Sequence, residues 1–261
     1  VYQVSSQECE QCASDALSVG YRMIDTAQAY HNEEGVGNAV KKSGIDRKEI
    51  FLVSKVWISN YGYEKAKASI DESLRRLQTD YIDLMLLHQP FCDRYGAYRA
   101  LQDAYREGKL RAIGVSNFYP DHFIDIAGNM EIVPAVNQVE THVFNQQVEP
   151  QKIMEELGTH IMSWGPFAEG RNNMFTNETL ADIASRHGKS VTQVALRWLI
   201  QRGVIIIPKS THIERMRQNL DIFDFELTDD EMRQIATLDT GHSLFFDHHD
   251  AETARMFMNR K

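Results

Sequence analysis

A series of apolar runs in this chain lead into polar side chains. "MIDT" carries Asp25, "IFLVSK" ends at Lys55, "YIDLMLLH" at His88, "RAIGVSN" at Ser116 and Asn117, and "VIIIPKS" at Lys209 and Ser210, while Gln138 lies within "AVNQVE". One acid or histidine in such a place is more often a loop cap than a catalyst. Several in chain order suggest a shared site. Asp25 beside Lys55 would hold the ammonium, and that positive charge beside Tyr30 would favour the phenolate and lower the tyrosine pKa. His88 would orient a carbonyl oxygen or relay a proton. Tyr30 would then act as a general acid toward an oxyanion. Such an acid is needed where a nicotinamide cofactor delivers hydride to a carbonyl carbon.

The elements that must position these residues alternate along the chain. Strands are expected at residues 22–26, 50–55, 81–88, 111–116, 135–140, 160–164 and 204–209. Amphipathic segments separate them: Ala66, Ile70, Leu74 and Leu77 mark one helical face, and Ser190 with Gln193 forms a capping box before Val194, Trp198 and Leu199, with Gly203 as the stop. Regular β-α alternation predicts an α/β fold of parallel strands with helical crossovers, as in a (β/α)8 TIM barrel or a doubly wound sheet. In a barrel the C-terminal strand ends share one rim, where active sites are built. Only seven strands are evident, and a closed barrel of this type needs eight. "VYQV" at residues 1–4 is expected to be the tail of a first strand. Ser5 with Glu8 would cap a helix ending at Gly20.

The 261 residues are 43% hydrophobic, enough for one barrel domain over 1–261. A net charge of −9 gives no global basic field for nucleic acid or an anionic membrane, and no apolar stretch reaches the length of a membrane span. A cytoplasmic protein is the simplest expectation. Cys9, Cys12 and Cys92 are too few for a disulfide framework. Cys9, Cys12, Ala13 and Ala16 fall at helical spacing, so both thiols are expected as small apolar groups on a helix face.

Together, "GYRMIDTAQAYHNE", "FLVSKVW", "DLMLLHQP", "IGVSNF", "VNQVE" and "IPKSTHIERMRQNLDIFDFEL" resemble the aldo-keto reductase superfamily over nearly the whole chain. The nearest likeness is to microbial NADPH-dependent reductases of small aldehydes and ketones, of the prostaglandin F synthase-like and diketogluconate reductase-like kinds. The resemblance implies Tyr30 as proton donor, with Lys55, Asp25 and His88 completing a tetrad. It places Ser116, Asn117 and Gln138 on the nicotinamide carboxamide, Trp164 on the ring, and Gly165, Pro166 and Phe167 beside the pyrophosphate. Lys209, Ser210 and Thr211 would meet the phosphate on the adenosine ribose, with Arg215 covering the adenine and Gln218 and Asn219 bonding it. Paired cations at Lys209 and Arg215 favour NADPH over NADH. Tyr2, Trp57 and Phe91 would rim an open substrate pocket. The family's first strand and the hairpin before it are absent apart from "VYQV", and His212 stands where relatives often carry a basic or hydroxyl residue. A monomer is the family-based expectation.

Two other classes compete. A non-catalytic cofactor-binding relative, regulatory or structural, would not need all four tetrad residues. A sugar-processing barrel would need two facing carboxylates, and only Asp25 stands plainly at the rim. "GHSLFFDHHD" at 241–250 could suggest a metal site, but adjacent histidines on an irregular loop rarely converge. It is expected to be a loop over the pocket, packed through Leu244 to Phe246.

Overall fold

A computed structural model describes residues 1–260. Its strands are β1 (Met23–Asp25), β2 (Phe51–Val56), β3 (Leu84–Leu87), β4 (Ile113–Ser116), β5 (Val136–Glu140), β6 (His160–Trp164) and β7 (Ile205–Ile206). Each pairs in parallel with the next, giving one seven-stranded sheet in chain order. The helices are α1 (Ser6–Ser18), α2 (Glu33–Lys42), α3 (Tyr63–Leu77), α4 (Arg94–Arg106), α5 (Pro120–Asn129), α6 (Val148–Glu156), α7 (Glu178–His187), α8 (Val191–Gln201), α9 (Ile213–Leu220), α10 (Asp229–Ala236) and α11 (Ala251–Met258).

Strands covered on both faces read as continuous apolar runs, and all four residues of β3 are buried. Helix α3 buries Ala66, Ile70, Leu74 and Leu77, the face expected from their spacing. The Ser190–Gln193 capping box opens α8, and Gly203 lies two residues past its end with φ +76°. Gly114 lets β4 and β5 approach closely, since a Cβ there would lie 2.3 Å from the Val136 carbonyl oxygen. The edge strands β1 and β7 face one another across a shared cavity, so the sheet curls as in the (β/α)8 barrel. Among the described residues no ladder joins β7 to β1.

Two expectations change. Residues 1–4 form a turn rather than a strand tail: Gln3 takes a left-handed φ of +55°, and the Asn32 side chain donates to the carbonyls of Val1 and Val4 at 3.0 and 3.1 Å. Strand β7 is reduced to Ile205–Ile206, because Pro208 has no N–H for a ladder and β7 has a partner on one side only. Cys9 and Cys12 are buried on α1 as expected. Their sulfurs lie 3.5 Å from the Asn32 carbonyl oxygen and 3.3 Å from that of Ser210.

Candidate active site

The C-terminal strand ends open into a cavity of about 850 Å³. Asp25 ends β1, Lys55 is the penultimate residue of β2, and His88 follows β3. Lys55 is 0% exposed, and its Nζ lies 2.6 Å from Asp25 Oδ1, 2.9 Å from the Thr26 carbonyl oxygen and 3.5 Å from the Tyr30 hydroxyl. The other Asp25 oxygen accepts from Gln138 Nε2 at 2.9 Å. A buried lysine is thus fully engaged, with its carboxylate held from two sides. Tyr30 and His88 meet edge to face with ring centroids 5.7 Å apart, and Trp57 lies 5.1 Å from His88 on another side.

The electrostatics reverse one expectation. The Tyr30 pKa rises well above the usual tyrosine value, chiefly through burial, with the Asp25 and Tyr2 charges adding to the effect. Lys55 fails to lower it because the ammonium is already matched by Asp25, which is closer to it than the phenol is. Burial pulls the Lys55 pKa down against the opposing pull of Asp25. Burial and the Lys55 charge hold His88 well below the ordinary histidine range. At neutral pH the site therefore presents a protonated phenol and a neutral imidazole, a suitable arrangement for giving one proton to an oxyanion. Among the described residues the buried His88 Nδ1 has no hydrogen-bond partner.

Farther along the cavity the polar residues hold one another. Ser116 Oγ donates to the Gln138 carbonyl at 2.8 Å, and Asn117 Nδ2 donates to the His88 carbonyl at 3.1 Å. Trp164 Nε1 donates to Asn117 Oδ1 at 2.8 Å, which sets the indole plane at the end of β6. The chain then turns at Gly165, whose φ of +65° favours glycine. Gly165, Pro166 and Phe167 line the cavity with the indole, as do Lys209 and Ser210.

Not every expected residue reaches the cavity. Lys55 lies behind Asp25 rather than on the wall. Thr211, Arg215 and Gln218 are exposed around the start of α9, and Asn219 on the same helix is buried. Tyr2 and Trp57 line the wall, with the Tyr2 ring 5.2 Å from that of Tyr30. Phe91 does not. It stacks on Phe257 of α11 at 5.8 Å and on His248 at 6.3 Å, and the wall is made instead by Phe257 and Phe246. The loop at 241–250 does pack over the cavity, through Phe245 and Phe246. Two further residues matter. Gln28 receives the Trp57 backbone N–H at 2.9 Å, and Glu140 anchors the C-terminal loop. Glu140 had a legible signal as a carboxylate ending a strand, like Asp25, whereas Gln28 had none.

Cavity and cations suit a dinucleotide. Tyr30 and His88 share the cavity lining with Lys209, and neither Lys209 nor the nearby exposed Arg215 has an ion pair among the described residues. Comparison with known proteins agrees with this arrangement. Residues 2–240 match the Aldo/keto reductase family. The chain is 46% identical over 235 residues to glyoxal reductase of Bacillus subtilis, covering 90% of this chain and 84% of that protein. An aldo-keto reductase from a Medee basin deep-sea metagenome library superposes with a TM-score of 0.93 at 40% identity, covering 96% of this chain and 93% of the other. A Bombyx mori aldo-keto reductase in complex with NADP superposes with a TM-score of 0.88 at 33% identity, covering 98% and 89%. With the tetrad assembled and the match running through all seven strands, the chain belongs to the aldo/keto reductase family of oxidoreductases.

Proposed function

We propose that the chain reduces small aldehydes and ketones, α-dicarbonyls among them, to alcohols, with NADPH as cofactor and Tyr30 as proton donor. The observation that carries this reading is the Tyr30 hydroxyl. It stands on the cavity wall with its pKa raised, 3.5 Å from a lysine that is itself locked to Asp25. Bound NADPH supplies the hydride. The chain's own part is to hold the carbonyl oxygen between Tyr30 and the neutral His88, donate the phenolic proton, and exclude water with Trp57, Phe246 and Phe257. Lys55, locked to Asp25 and 3.5 Å from the phenol oxygen, would hold the Tyr30 hydroxyl in place through the transfer. Trp164 offers a flat face for the nicotinamide, held by Asn117. Lys209 and Arg215, together with the N-terminus of α9, would hold the ribose phosphate and favour NADPH over NADH. The likeness to a glyoxal reductase supports dicarbonyl substrates.

The test is a fluorescence titration with NADPH and NADH, followed by methylglyoxal in the same cuvette. Tight NADPH binding with oxidation is expected. Tyr30→Phe should lower turnover by about 10²- to 10⁴-fold while cofactor affinity stays within about twofold. Binding without oxidation of cofactor by any carbonyl would favour a non-catalytic role, and unchanged turnover in Tyr30→Phe would remove the proton-donor assignment.

A further inference from the structure

A second carboxylate stands at the C-terminal end of β5, outside the proton chemistry above. Glu140 is completely buried and pairs with Trp164 in the β5–β6 register. One of its oxygens accepts the Leu244 backbone N–H at 2.9 Å and lies 2.9 Å from His142 Nε2, and the other accepts the Ser243 hydroxyl. The other His142 nitrogen fixes the tautomer. Nδ1 accepts the Phe144 N–H at 3.2 Å, so the proton sits on Nε2 and points at Glu140. Burial raises the Glu140 pKa, but hydrogen bonds from His142, Ser243 and Leu244 outweigh it and leave the group below the ordinary carboxylate range. No lysine or arginine pairs with Glu140 among the described residues, so hydrogen-bond donors alone hold this buried charge.

Two of those donors come from the C-terminal loop. Ser243 Oγ also accepts the N–H groups of Phe245 and Phe246, both at 3.0 Å, which ties the loop into a compact turn. The turn presents Phe245 edge-on to Trp164 with centroids 5.1 Å apart. Arg171 lies 4.1 Å above the Phe245 ring and donates to the Leu244 carbonyl. Phe245 and Phe246 both face the cavity.

We propose that Glu140 is a positioning residue: a latch that pins residues 243–246 to the end of β5, so that Phe245 and Phe246 wall the Trp164 side of the cavity and retain the cofactor. The retention half rests on the reductase reading. The latch half does not.

Hydrogen exchange on the ligand-free protein tests the latch. Ser243→Ala removes one of the loop's two donors to Glu140 and keeps the Glu140–His142 pair, so the fold is not at stake; Glu140→Gln keeps the size of the side chain but removes its charge. Both variants should speed exchange at the amides of 244–246 by about tenfold or more, the weight of one hydrogen bond to a charged group, with β6 still protected in Ser243→Ala. Stopped-flow displacement should show NADPH leaving both variants about tenfold faster. Exchange unchanged within about twofold would reduce Glu140 to a satisfied core carboxylate, and faster exchange with unchanged release would overturn the retention role. If the parent chain fails to bind NADPH, the reductase reading falls, and the exchange measurement still decides the latch.

Discussion

The strand ends and the start of α9 hold their charges on opposite terms. Near the strand ends, Lys55 is fully buried and bonded to Asp25 and Thr26, while Asp25 is bonded again by Gln138. Around the start of α9, Lys209 and Arg215 are exposed and have no carboxylate partner among the described residues. A buried charge must be paired by its own chain or lose its ionised form, whereas an exposed one is solvated and free to meet an outside anion. The strand-end charges are thus preorganised, and the cations near α9 are left open to an outside anion, as the proposed phosphate contact requires.

Breaking the buried end should have the largest effect. Lys55→Met leaves Asp25 buried without its cation, and urea denaturation should show a loss of about 3–5 kcal/mol. The double variant Lys55→Met/Asp25→Asn should recover much of that loss, because the unpaired charge is gone. If the single variant is as stable as the parent, the pair contributes nothing net and the contrast between the two ends fails.

At the open end the same kind of substitution should spare the fold. Lys209→Ala is expected to change unfolding stability by no more than about 0.5 kcal/mol. Calorimetric titration should show NADPH affinity falling about tenfold, with NADH affinity unchanged, since a cation opposite a phosphate forms charge-assisted hydrogen bonds that a bare ribose cannot accept. Equal losses for the two cofactors would place Lys209 away from the ribose phosphate.

The smallest expected effect is a flat line. His88 is held below its ordinary value of 6.5 and is neutral above it, while Tyr30 is raised above 10.0 and stays protonated below it. Single-turnover reduction at saturating cofactor should therefore be independent of pH across that window. An alkaline decline near pH 8 that disappears in Tyr30→Phe would show that Lys55 does lower the phenol, which would break the assignment of charge made for the buried end.

Much of the fold was legible because its signals are local. The polar residues at the ends of β1 to β5, the α3 face and the Ser190 cap each depend on neighbours a few positions away and appear where expected, whereas Lys209 and Ser210 lie beyond the shortened β7. Three features were not legible. The Tyr30 pKa depends on burial and on an ammonium already matched by Asp25. The cavity wall falls to Phe257 and Phe246 rather than Phe91, because Phe257 of α11 stacks on Phe91 and itself lines the cavity. The role of Glu140 needs Ser243 and Leu244, more than a hundred residues downstream.

The sequence by itself determined the order of seven parallel strands, the residues at their C-terminal ends and the cation-rich start of α9, since β-α alternation, helix capping and strand-end placement follow from short-range periodicity and turn chemistry. Tertiary structure alone decided which charges are buried, which proton stays on which atom and which aromatic rings close the cavity. Desolvation and ring contacts depend on what packs against a group from distant parts of the chain, and nothing in the spacing of residues along the chain records that.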